Sequence, residues 1–404
     1  MNKYKYLISV IIPTRNRQIY AQAAVRHILG ISKEIQIIVQ DNSDNMSLRK
    51  DLEDLLNNEQ IIYNYIGERI AGIDNYNIAA SYAEGEFFCA IGDDDTVLPN
   101  IIDCAKWMKR NNIDAVKPSK DLVYWWPDSK NTRSKKRKYG YLGTGMFSGK
   151  CIIQNQYEGM KELLKAGGQG YLNLPIIGSY HGLVRTECMK KVYEVTGRYY
   201  GGLSPDMYSA ACLSLLPNVK FVYIDFPISL PGVCPKSTSA QSQDHEHVGS
   251  LETAPHFIGL KQKYVWDTRI PKYYSVETIW AETLLKAISA MGQEELIEEF
   301  FNQKELIRAL YVNNYEKKEE IIKCVNPAMR SYLLGLRNLR NRKRLQRYYK
   351  YFKKILAIFL CASGKELGEK NCSSIQEAVD YLCEFLDSKR NRKKWLTICN
   401  QKIQ

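Results

Sequence analysis

Asp93, Asp94 and Asp95 stand in a row behind the apolar run Phe87-Phe88-Cys89-Ala90-Ile91 and one glycine. Adjacent carboxylates repel, so the cluster costs stability unless a cation or a set of hydrogen-bond donors compensates it. Its chemical reading is a divalent-cation site; its inert reading is a solvated acidic turn. Two more polar clusters also follow apolar runs. Pro13, Thr14, Arg15 and Asn16 follow residues 6–12, and Asp41, Asn42 and Ser43 follow residues 35–39. Downstream, Ser204 suits a helix N-cap, Pro205 the first helical position, and Asp206 a first turn where the helix dipole favours a carboxylate.

These clusters need a scaffold that brings them together. Over the first 120 residues strand-like and helix-like segments alternate. Strands are expected at 6–12, 35–39, 61–65, 87–91 and 114–117, with helices at 16–30, 48–56, 74–83 and 100–110. Such alternation implies a parallel sheet with helices on both faces, and sites in such sheets form at the carboxyl ends of strands. Three polar clusters at three strand ends converge there.

Residues 121–180 read as loops and a hairpin, a helix at 156–165 and a strand at 176–180 that leads to His181. The basic run Arg133, Lys135, Lys136, Arg137 and Lys138 reads as a solvated loop. A helix at 186–195 and a strand at 219–225 follow. Residues 226–255 show no hydrophobic period, and His245, His247 and nearby His256 make this segment a candidate lid. Beyond 270 the pattern is helical. One stripe holds Val276, Trp280, Leu284, Ala287 and Met291; another holds Leu345, Tyr348, Phe352, Ile355 and Phe359 amid arginines and lysines. Ser374 and Glu377 have capping-box spacing, and Lys389 to Lys394 adds a basic cluster. The expected domains are 1–120, 121–255 and a basic helical 256–404.

The 404 residues carry a formal net charge of +13, which favours an anionic partner. No apolar run reaches the roughly 18 residues of a spanning helix, and the start does not read as a signal peptide. Eleven cysteines without CxxC pairs read as reduced thiols in a cytoplasm. The basic C-terminal helices would suit an anionic membrane surface, a helical bundle or a homo-oligomer.

Ser9-Val10-Ile11-Ile12-Pro13-Thr14-Arg15-Asn16-Arg17 resembles the opening strand of the family-2 nucleotide-sugar glycosyltransferases of the GT-A fold. The resemblance continues in order through Asp41-Asn42-Ser43, Gly72 with Asn75, the Gly85 to Asp95 approach, and Ser204-Pro205-Asp206, over roughly residues 6–225. It implies an α/β, Rossmann-like GT-A domain with a mostly parallel sheet, followed by a helical region. It implies an inverting, metal-dependent hexosyltransferase acting on a glycan or lipid-linked glycan in surface polysaccharide synthesis, in the cytoplasm or on the inner face of the membrane. UDP is the favoured nucleotide. By the same resemblance Asp93 meets ribose, Asp95 holds Mn²⁺ or Mg²⁺, Asp94 lies between, and Asp206 is the general base. Pro13, Thr14, Arg15, Asn16, Asp41, Asn42 and Asn75 would hold the donor, and His181 would line the acceptor site. Two departures stand out: Asn42 replaces a second acidic residue, and Pro205 precedes Asp206 where the family often has Glu. The competing readings are a basic nucleic-acid-binding protein, for which no recognition motif is present, and a non-catalytic GT-A scaffold.

Overall fold

The computed structural model describes residues 3–129, 139–237, 248–260, 263–335 and 369–403. Its N-terminal part alternates β1 (Tyr6–Thr14), α1 (Gln18–Leu29), β2 (Ile35–Asp41), α2 (Ser47–Asp51), β3 (Ile61–Tyr65), α3 (Gly72–Ser81) and β4 (Gly85–Ala90). Then come β5 (Thr96–Val97), α4 (Ile101–Arg110), β6 (Ala115–Pro118), β7 (Leu122–Trp125), β8 (Tyr141–Thr144), β9 (Cys151–Ile153) and α5 (Gln156–Lys165). The middle of the chain adds β10 (Leu183–Arg185), α6 (Thr186–Thr196), α7 (Pro205–Leu215), β11 (Phe221–Ile224), β12 (Ser229–Leu230) and β13 (Gly232–Val233).

The main sheet runs β3-β2-β1-β4-β10-β6-β11-β9. Strands β3, β2, β1 and β4 are parallel neighbours, as are β6 and β11, while β10 and β9 run antiparallel. The expected mostly parallel, doubly covered sheet is therefore present. Alternation along each strand divides the core in two. Ile8, Val10, Ile12, Ile37, Val39, Phe87 and Cys89 face one cluster with α1 and α4. Ile11, Ile38, Phe88 and Ala90 face the other, with α3, α5 and α7. Burying each such side chain contributes about 1.5–3 kcal/mol.

Three expectations change. The helix at 48–56 stops at Asp51, and turns occupy the rest. Residues 176–180 form no strand. Tyr180 makes one bridge to Ala90, held by Ala90 N–H to Ser179 O and His181 N–H to Ala90 O. The supposed loop from 226 contains β12 and β13, because Phe226, Ile228 and Leu230 alternate into the core. The basic run at 133–138, His245 and His247, and the stripe from Leu345 to Phe359 lie outside the described residues.

Beyond residue 270 the helices are α8 (Val276–Ala290), α9 (Glu294–Phe300), α10 (Gln303–Asn313), α11 (Lys318–Cys324) and α12 (Pro327–Gly335). Helix α8 opens on a capping box between Ser275 and Thr278. Its Ala281, Leu284, Ala287 and Ile288 pack into the cluster that α7 occupies. The chain then returns to the first core through β14 (Glu369–Asn371), α13 (Ile375–Leu386) and α14 (Lys389–Asn400). β14 pairs with β8, and Ile375, Leu382, Trp395 and Ile398 join the cluster of α1 and α4. The helical region expected from 256 onward is thus built partly into the first core, with the apolar face of Lys389–Asn400 inward. No helix among the described residues is long and apolar enough to cross a membrane.

Candidate active site

The three polar strand ends meet at one edge of the sheet, zipped together by hydrogen bonds. Asn16 takes a left-handed φ of 54°, and its N–H donates to Ser43 Oγ. Its amide also exchanges hydrogen bonds with Asp44. Arg15 donates to Asn42 O and Asn42 Oδ1 and pairs with Asp44. Asn75 donates to Thr14 O and Gln40 O, both at 3.3 Å, and so ties the ends of β1 and β2 from below. Asp41 is fully buried, with its oxygens accepting from Ser43 N–H and Tyr63 O–H. Pro13 lies in β1 beside Gln40.

The acidic cluster is buried and densely compensated. Arg17 Nη2 lies 3.0 Å from Asp93 Oδ1 and 2.6 Å from Asp94 Oδ1. Thr14 O–H donates to Asp93 Oδ2 at 2.7 Å. Asp94 Oδ2 accepts from Cys234 N–H, and Trp126 Nε1–H donates to the Asp94 carbonyl. Asp95 is the most enclosed. Its Oδ2 accepts from Gly92 N–H and Tyr180 O–H and lies 3.1 Å from His181 Nε2, while Oδ1 accepts from Gly232 N–H at 2.6 Å.

Burial drives Asp93 upward from the ordinary carboxylate range against the pull of Arg17, and Asp94 is raised for the same first reason. Burial alone would also raise Asp95, but His181, Tyr180 and Gly232 outweigh it and hold it at about 2. Burial alone would lower Arg17, yet Asp93 and Asp94 reverse this and keep it firmly cationic.

Gly232 closes the cluster. A Cβ there would stand 1.8 Å from the Asp94 carbonyl oxygen. Gly232→Ala is expected to cost at least the 1–3 kcal/mol of an overpacked core and to lower the thermal midpoint. An unchanged midpoint would refute this close approach of Gly232 to Asp94.

Asp206 sits in the first turn of α7. Ser204 occupies the N-cap position, but its hydroxyl donates to Asp206 Oδ1 instead of capping the helix, and Tyr171 O–H donates to Oδ2. Asp206 lines a small cavity with Lys117, Lys120 and Tyr180. Tyr180 therefore joins the Asp206 cavity to Asp95. His181, expected on the acceptor side, instead lies buried between Asp95 and Ser229 Oγ. His256 is held by Tyr274. Arg17, Tyr171, Tyr180 and Lys120 received no role from the sequence; the only signal was that Arg17 ends the first motif.

A resident Mn²⁺ or Mg²⁺ does not fit this donor set as it stands. Asp95 Oδ2 already meets Gly92, Tyr180 and His181, its Oδ1 meets Gly232, and Asp93 and Asp94 share Arg17. Among the described residues no group of three or more His, Cys, Asp or Glu side chains is placed to hold a metal ion.

Residues 9–161 match Glycosyl transferase family 2. The matched segment spans β1 through most of α5. The sheet and its helices have the mostly parallel α/β arrangement expected from the resemblance to the GT-A fold. Solved structures of S. aureus TarS also match. Fragment 1–349 with UDP-GlcNAc has TM-score 0.45 and 14% identity, covering 82% of this chain and 88% of that one. The same fragment with UDP gives 0.41 and 16%, over 82% and 87%. The TarS structure with no stated truncation gives 0.42 and 15%, over 78% and 54%. No curated protein sequence matches the chain.

Proposed function

We propose that this glycosyltransferase moves a sugar from a nucleotide-sugar donor, with UDP favoured, to a hydroxyl of a surface glycan, inverting the anomeric centre. One observation carries the reading. Tyr180 donates to Asp95 Oδ2 and also lines the cavity that holds Asp206, so one side chain links the donor-side carboxylates to Asp206. Asp93 Oδ1 is buried and lacks a hydrogen-bond donor, since Arg17 Nη2 approaches it off the bonding direction. A ribose hydroxyl is a donor of the right kind.

In the proposed step the acceptor oxygen attacks the anomeric carbon from the Asp206 side. The new C–O bond forms as the bond to the diphosphate breaks. The departing diphosphate keeps that electron pair, and the acceptor proton passes to the Asp206 carboxylate. Ser204 and Tyr171 orient that carboxylate, and Tyr180 keeps Asp95 in register with it. No step is routed through a metal ion. Turnover by the full chain in EDTA and in Mn²⁺ decides that point. Survival in EDTA retires the cation role of Asp95, and an absolute requirement means that Tyr180 or His181 releases it when donor binds.

The reading is tested by calorimetric titration with UDP. Asp93→Asn is expected to weaken binding about tenfold to a hundredfold, the worth of a hydrogen bond to a charged group. Equal binding by the variant would refute the ribose assignment.

A further inference from the structure

The Asp206 cavity continues into a second hollow of about 360 Å³, lined by Lys117, Ser119, Lys120, Gln154, Asn173 and Tyr223. Lys117 and Lys120 line both cavities. The hollow is within the size range of ligand sites. Its two lysines are not equivalent. Lys117 Nζ donates to the carbonyls of Tyr171 and Leu174 at 3.2 and 2.7 Å, so it serves the 3-10 turn that carries Tyr171. Burial also brings it down to about 7. Lys120 is half-buried and has no hydrogen-bond or ion-pair partner among the described residues. Burial lowers its pKa, against the opposing pull of Asp206 and Asp95. Asp121 is the acidic residue at the rim, and its side chain is exposed.

An ammonium that has no protein partner is completed by water or by a ligand group that enters the hollow. Asp206 does not pair with it in the structure: its oxygens take Ser204 and Tyr171, and no ion pair joins it to Lys120. A neutral acceptor in this hollow would bury Lys120 further and leave its charge unmatched. An anionic group beside the attacked hydroxyl would match it, and would set that hydroxyl next to Asp206.

We propose that this hollow is the acceptor subsite and that Lys120 selects a glycan carrying a negative charge, phosphate or carboxylate, next to the reacting hydroxyl. The inference rests on the glycosyltransferase reading. The chemistry of Lys120 serves either anion, so the test carries one arm for each.

The full chain is titrated by calorimetry with UDP, with an oligo(glycerol phosphate), with an oligogalacturonate and with a neutral oligosaccharide of equal length. Wild type is expected to bind at least one anionic oligomer and to bind the neutral one at least tenfold more weakly. Lys120→Gln is expected to lose about tenfold to a hundredfold toward the anionic oligomer, and Lys120→Arg to retain most of it. The UDP constant should move less than twofold. Binding of the phosphate oligomer alone assigns phosphate, and of the uronate alone carboxylate. Three outcomes overturn the proposal: neither anionic oligomer binds, the neutral one binds as tightly, or the Lys120→Gln loss falls on UDP. Failure of wild type to bind UDP would instead strike the parent reading. Thermal midpoints of both variants separate a folding defect from a binding one.

Discussion

Arg17→Gln is expected to remove about 3–5 kcal/mol of stability, the usual cost of stripping one partner from a buried ion pair. Arg17 is the counter-charge of two buried carboxylates at once, and its own side chain is largely enclosed. Removing it leaves Asp93 and Asp94 side by side with one N–H or O–H donor each from Thr14 and Cys234. Urea unfolding of the variant should show a lower midpoint with the same slope. The double change Asp93→Asn with Asp94→Asn in the Arg17→Gln background should recover much of the loss, since the repulsion then has no source. A variant as stable as wild type would show that the cluster is compensated by something other than Arg17.

Asp206→Asn is expected to reduce kcat by about a hundredfold to ten-thousandfold, the range contributed by a positioned general base. The amide has nearly the carboxylate's shape; one of the Ser204 and Tyr171 hydroxyls can still donate to its oxygen while the other accepts from its NH2. UDP affinity should therefore hold within a factor of two while turnover falls. Tyr171→Phe should give a smaller loss, because it frees one carboxylate oxygen without removing the base. Retained kcat in Asp206→Asn would move the base elsewhere. Weakened UDP binding in the same variant would place Asp206 on the donor side of the cleft.

Much of this was legible in the chain, for reasons that can be named. The runs around Ile11, Ile38 and Phe88 are apolar at consecutive positions, which a strand buried on both faces requires, so β1, β2 and β4 stood out. The polar residues that end them are unlike their surroundings, and strand order then grouped them. Asp206 was legible from Pro205 and the helix start. What stayed hidden is what arrives from afar. Gly232 and Cys234 close over Asp94 and Asp95 through backbone N–H groups, which any residue except proline supplies. Tyr180 and Lys120 lie in short irregular stretches where no period marks an inward side chain. His181 was read as an acceptor contact because a histidine beside a strand end gives no hint of which neighbour takes it. The β12 strand was missed because the alternation of Phe226, Ile228 and Leu230 spans only three inward positions.

The return of residues 369–403 to the first core bears on how the molecule can be divided. Trp107 Nε1–H donates to Gln401 O, Lys220 Nζ to Ile403 O, and His27 meets Gln376. β8 has β14 along one edge. A fragment cut at 255, the expected end of the second domain, would leave α1 and α4 without the apolar cover of Ile375, Leu382 and Ile398 and would bare a strand edge. Exposed edges and apolar patches of that kind invite aggregation. The catalytic unit is therefore a discontinuous one, closed by the far end of the chain.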